Sequence, residues 1–173
     1  MLYTASDIAK YIISYCSSRN RPISNLKLQK VLYFTWVDYF RETGTALFLD
    51  DICAWQLGPV VPDVYYDYCS YGGRPIYLTY NGIEDEISER DEAILNEIIE
   101  RYIDIPASTL VNKTHRSGTA WDYIYGGVLE IAMSYHFHLL KIKSVGGKVC
   151  SQMREKGVKI NLSRIYLDYQ NVY

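Results

Sequence analysis

Three histidines and four cysteines are the side chains here best suited to nucleophilic or metal chemistry. A thiol hydrolase needs a thiolate beside an oriented imidazole. His115 could be paired on paper with Cys16, Cys53, Cys69 or Cys150, yet no nucleophile motif surrounds any of the four. His136 and His138 are two residues apart, which on a helix sends them to different faces, and no Cys-x-x-Cys pair adds ligands. The glycine pairs at 72–73, 126–127 and 146–147 lack the lysine and hydroxyl residue of a phosphate loop and read as turns. Glu84, Asp85 and Glu86 read as a solvated loop ahead of a helix. No catalytic residue, metal or cofactor is expected, and the chain is read as a non-enzyme.

Aromatic chemistry is the stronger signal. Tyr65, Tyr66, Tyr68 and Tyr71 fall on one short helix and cannot all face a core, so some must reach the surface. Tyrosine there gives a large contact area at low entropic cost, as at binding hot spots, or simply buries its ring and keeps its hydroxyl wet.

The element that must position these residues is a long helix. Ser24 can cap it and Pro22 discourages an earlier start. From Leu26 to Phe40 the circumference is almost wholly apolar, with Lys27, Lys30, Asp38 and Arg41 on one narrow stripe. Gln29 lies on the apolar face near Trp36 and Phe40, so its amide needs partners inside the fold. Gly44 ends the helix. Next, Ile52 to Trp55 is short enough for a strand, and Gly58-Pro59-Val60-Val61-Pro62 punctuates the chain before the tyrosine helix. Gln29, Trp36 and Trp55 are expected in one core cluster.

The outer elements follow similar rules. Thr4 with Asp7, and Ser88 with Asp91, have capping-box spacing ahead of amphipathic helices. Arg74 to Tyr80 is rich in strand formers and ends at Asn81-Gly82, which predicts a small hairpin or a strand beside 52–57. Pro106 admits a short helix, Trp121 begins another, and Val128, Ile131, Ala132, Tyr135 and Leu139 mark one more. Val158, Ile160 and Leu162 alternate as in a strand. The expected fold is mainly α with a small β element (α+β): a compact single-domain helical bundle around a buried central helix, plus a two- or three-stranded sheet.

Ile23-Ser24-Asn25-Leu26-Lys27-Leu28-Gln29-Lys30-Val31-Leu32-Tyr33-Phe34, then Leu47-Phe48, then Ala54-Trp55-Gln56-Leu57-Gly58-Pro59-Val60-Val61-Pro62-Asp63-Val64-Tyr65 resembles the Panacea family of SocA-like antitoxin domains, which includes phage-associated GepA-like proteins. Thr114-His115 and Trp121 resemble two further signatures of that family, with Ala120 standing where proline is usual. Similarity runs from about residue 4 to 142, dividing the chain into a domain at 1–142 and a basic extension at 143–173. The resemblance implies an antitoxin-like protein that neutralises a toxin by direct binding. The alternatives are a phage or mobile-element protein that binds a host enzyme or defence component, and a proteolytic adaptor. Lys27, Lys30, Gln56, Val60, Tyr65 and Tyr66 are the candidate partner-binding residues, with Gln29, Trp36, Trp55, Gly58, Pro59, His115 and Trp121 as structural motif residues. His115 is expected to hydrogen-bond backbone near the Gly58-Pro59 turn, with Trp121 packed below it.

Charge divides the chain. Residues 1–140 carry 11 basic and 18 acidic side chains, net −7, and 141–173 carry 7 basic and 2 acidic, net +5, together the −2 of the whole. A basic tail can meet phosphates, but Lys141, Lys143, Lys148, Arg154, Lys156 and Lys159 lie in no DNA-binding motif, so a solvated or partner-binding tail is preferred to a nucleic-acid contact. The absence of a long apolar run argues against a signal peptide or membrane span, and the cytoplasm is the expected location.

Overall fold

Short polar side chains set where the main helices begin. The computed structural model describes residues 2–125. In chain order these form α1 (Ala5–Ser18), α2 (Asn25–Thr43), β1 (Cys53–Trp55), β2 (Gly58–Val60), α3 (Pro62–Tyr68), α4 (Glu89–Ile103), α5 (Ala107–Thr114) and α6 (Ala120–Tyr125). Thr4 and Asp7 close a complete capping box on α1. The Ser24 hydroxyl accepts from the Lys27 amide at 3.4 Å to open α2, and Gly44 ends it in the left-handed region at φ 69°.

α2 is the hub. It packs against α1, α3, α4, α5 and β2, burying Leu28, Val31, Leu32, Phe34, Trp36 and Val37 against Ile8, Ile12, Leu95 and Ile98. Each fully buried aliphatic side chain of this kind stabilises by about 1.5–3 kcal/mol. Among the described residues the fold is mainly α with one two-stranded antiparallel sheet, the expected class.

The stripe of α2 departs from the outward face expected of charged residues. Lys27, Lys30 and Asp38 are buried. The Lys27 ammonium donates to the Ile105 carbonyl in the connection from α4 to α5, and Asp38 accepts from the Tyr102 hydroxyl at 2.6 Å. Periodicity finds a polar stripe, but whether protein or water covers it depends on elements distant in sequence.

The sheet departs too. β1 pairs with the Gly-Pro segment itself in the register Cys53 with Val60 and Trp55 with Gly58. Gln56 and Leu57 are the two-residue turn between the strands. A sheet of two strands has no interior, so Pro59 is tolerated in it. Residues 74–80 form no strand. They run irregularly over the bundle, with the Ile76 amide donating to the Ile23 carbonyl at 2.9 Å and the Tyr80 amide to the Ser14 hydroxyl at 2.8 Å.

At α4 the capping pattern is only half realised. Ser88 accepts from the Asp91 amide at 3.2 Å, but the Asp91 carboxylate turns inward, accepting from Tyr3 at 2.6 Å and Tyr39 at 2.8 Å. The Ser88 amide donates instead to the Tyr3 hydroxyl at 3.2 Å. The expected helix at 128–139, the alternating stretch at 158–162, the basic extension and the domain boundary near 142 lie outside the described residues.

Candidate functional site

Two aromatic groups meet at the β1–β2 hairpin. On one side Trp55, Tyr65 and Tyr66 form a mutually edge-on triad, with ring centroids 5.0 Å apart for Trp55–Tyr65, 6.2 Å for Trp55–Tyr66 and 5.5 Å for Tyr65–Tyr66. Edge-to-face pairs add about 0.5–1.5 kcal/mol beyond burial. α3 is placed beneath by Pro62 in its first turn and by Asn25, whose amide donates to the Tyr65 carbonyl at 3.0 Å. Tyr66 is 62% exposed and Leu57, at the hairpin tip, 54%. Gln56 is exposed, Tyr65 and Trp55 are half-buried, and Val60 is buried.

On the other side His115, Trp121 and Tyr125 stack in sequence, at 3.7 Å and 4.6 Å between centroids. The Trp121 indole donates to the Trp55 carbonyl at 2.8 Å, so one residue of the hairpin joins both groups.

Below the hairpin lies a tight polar knot. Lys30 is fully buried and its Nζ donates to the Pro59 carbonyl at 2.7 Å. A side chain at Gly58, where φ is +101°, would begin 2.6 Å from Thr114 Oγ1 and 2.9 Å from Lys30 Nζ, so glycine is required both for conformation and for space. Burial pushes the Lys30 amine down to about 7, with nothing acidic among the described residues to offset its desolvation. Burial, and then the Lys30 charge, also push His115 below the usual imidazole range. His115 Nε2 is buried without a hydrogen-bond partner among the described residues.

This corrects the expected role of His115. Lys30 ties to Pro59, while the imidazole contributes its stack on Trp121. Nor do Gln29, Trp36 and Trp55 share one set of partners. Gln29 accepts from the Val61 amide at 2.9 Å and donates to Asn25 at 3.4 Å, Trp36 donates to the Phe48 carbonyl at 3.0 Å and stacks on Phe40, and Trp55 belongs to the tyrosine triad. Among the candidate partner-binding residues, Gln56, Tyr65 and Tyr66 lie together at an accessible corner. Lys30 and Val60 are buried, and Lys27 is buried against the Ile105 carbonyl instead. Leu57 was not singled out from sequence, and neither were Asp63 and Asp67, although spacing about Tyr66 on a short helix could have flagged both acids.

The groups exposed at this corner are an aromatic ring, an amide side chain and an apolar tip. Burial pushes the Cys16 thiol up to about 12, the reverse of what a nucleophile needs. Among the described residues no group of three or more His, Cys, Asp or Glu could hold a metal ion, and no helix is long and apolar enough to cross a membrane.

Residues 28–122, which contain the triad, the Lys30 knot and the His115–Trp121 stack, match the family model described as antitoxin SocA-like, Panacea domain. The chain is also 34% identical over 136 residues to Antitoxin SocA of Caulobacter vibrioides (strain NA1000 / CB15N), covering 71% of each chain. No solved structure matches it.

Proposed function

The chain belongs to the SocA-like antitoxin family of Panacea domains, and from that membership we propose that it is a cytoplasmic antitoxin that neutralises a cognate toxin by direct protein–protein binding, with no reaction of its own. The observation that supports the binding mode is the corner formed by Gln56, Leu57, Tyr65 and Tyr66. It combines exposed tyrosine with an apolar hairpin tip on a backbone held by Lys30, Asn25 and Gln29. Rigid presentation lowers the ordering cost of association, and tyrosines of this kind dominate interface energetics.

The test is co-purification with a toxin encoded beside the gene. Tyr65→Ala/Tyr66→Ala should weaken binding roughly a hundredfold or more while leaving the helical circular dichroism spectrum unchanged, since Tyr66 is mostly exposed. Binding by the folded double variant at wild-type strength would overturn the assignment of this face.

A further inference from the structure

On α3, Tyr66 and Asp67 lie three and four residues after Asp63, so that both neighbour Asp63 on one face of the helix, and all three are exposed. Asp63 in the first turn suits the helix dipole whatever else it does. Asp67, in the last turn, is opposed by that dipole, so local helix stability does not account for it. No ion pair joins either carboxylate to a described residue, and no described cation lies over the Tyr66 ring. The next cation along the chain, Arg74, is turned onto the Tyr71 and Ser70 carbonyls.

The same parts occur elsewhere in the molecule in completed form. At the end of α1 the Arg19 guanidinium lies 3.4 Å from the centroid of the Tyr15 ring. Glu100 flanks it, accepting from the Tyr15 hydroxyl at 2.8 Å and pairing with Arg19 Nε at 3.4 Å. There a tyrosine face and a carboxylate hold a guanidinium between them. On α3 the ring and the carboxylates are present, and no cation among the described residues joins them.

We infer that this face receives a cationic segment of the protein partner: an arginine or lysine set over Tyr66 and flanked by Asp63 and Asp67, with an adjoining apolar side chain resting on Leu57 and the edge of Trp55. The inference rests on the partner-binding reading above and adds the chemistry of what is bound. A cation over a tyrosine face is attracted by the ring quadrupole, and the carboxylates steer it there and set its register. Leu57 supplies the apolar contact that bulk charge alone would not require.

The experiment uses the full chain and a fluorescent synthetic peptide alternating arginine and leucine, with a counterpart carrying glutamate for arginine, read by anisotropy. The arginine peptide should bind saturably and weaken with salt. Asp63→Asn/Asp67→Asn should weaken it about tenfold or more, as should Tyr66→Ala, while Glu84→Gln/Glu86→Gln at a separate exposed acidic turn leaves it unchanged. Equal binding of the glutamate peptide, equal loss in the Glu84/Glu86 variant, or no binding of the arginine peptide would overturn the inference. So would a wild-type dimer dissociated by Tyr66→Ala, which would put a second copy of the chain on this face. Toxin pull-down separates the two levels. If it survives Asp63→Asn/Asp67→Asn but not Tyr65→Ala/Tyr66→Ala, the partner face stands and its cationic character falls. If the peptide behaves as expected while the toxin ignores both variants, the cationic site stands and its identity with the toxin site falls.

Discussion

Asp91 and Lys30 are both buried ionisable groups on helices of one bundle, and their surroundings are opposites. Asp91, in the seam between α1, α2 and α4, accepts two tyrosine hydroxyls at 2.6 and 2.8 Å. Burial alone would raise its pKa, but the bonds from Tyr3, Tyr39 and Ser88 hold the carboxyl below its ordinary value. Lys30, under the hairpin, has one carbonyl at 2.7 Å and beside it an imidazole nitrogen with no partner among the described residues. One region is built to keep a charge, the other to discourage one. Buried charge is compatible with stability where complementary hydrogen-bonding groups converge on it, and where they do not the pKa moves toward the neutral form.

Four substitutions would break or sharpen that contrast. The largest effect is expected for Asp91→Ala, which strands two buried hydroxyls and should cost about 3–6 kcal/mol in urea or thermal unfolding. Because the folded carboxyl titrates below its unfolded value, its contribution is present above about pH 4 and disappears as acid carries the pH through the lower folded value. The variant should therefore lack that share of acid sensitivity. Trp36→Ala, on the same side of the molecule, removes a buried indole and its bond to Phe48 and should cost about 3–5 kcal/mol. A near-native melting temperature would show that the core does not depend on it.

Lys30→Met probes the other region. The folded amine titrates near 7 and the unfolded one near 10.4, so between those values the unfolded chain holds more protons and stability rises with pH. Below 7 the burial penalty is present in full. The variant should flatten this slope, gaining about 2 kcal/mol at pH 6 and losing about 1 kcal/mol at pH 10, where the bond to Pro59 is missed. A slope identical to wild type would show that the amine keeps its charge. The smallest effect belongs to His115→Gln, which gives up a stack on Trp121 worth about 1 kcal/mol. Toxin binding should be retained, and a folded variant that no longer neutralises would make His115 a direct contact.

The contrast also marks where sequence reasoning stops. Thr4, Ser24 and Gly44 could be read because a cap involves residues within one turn of each other. The α2 hub could be read because an almost wholly apolar helix has to be covered. The covering itself is non-local: nothing between Leu26 and Phe40 says that Lys30 will meet Pro59 and Thr114. The Gly-Pro motif carried a strong turn signal and forms a strand, since the actual turn, Gln56-Leu57, contains neither glycine nor asparagine. Residues 74–80 have strand composition but, among the described residues, no partner strand beyond the single Ser24–Pro75 bridge, and composition alone does not supply one. That the tyrosine helix could not bury all of its rings was legible, while the exposure of Asp63 and Asp67 together with Tyr66 became visible only in the structure.

The bond from Tyr3 to Asp91 joins residues 88 apart in sequence. A growing polypeptide emerges from its N-terminus, so Tyr3 and Tyr39 leave the ribosome long before their shared acceptor does. At about 5–20 residues per second, the interval between Tyr39 and Asp91 lasts roughly 3–10 s. Throughout that time the α1–α2 pair presents an apolar face with α4 not yet available to cover it. The buried seam that Tyr3 and Tyr39 share with Asp91 therefore cannot be completed until α4 has been synthesised.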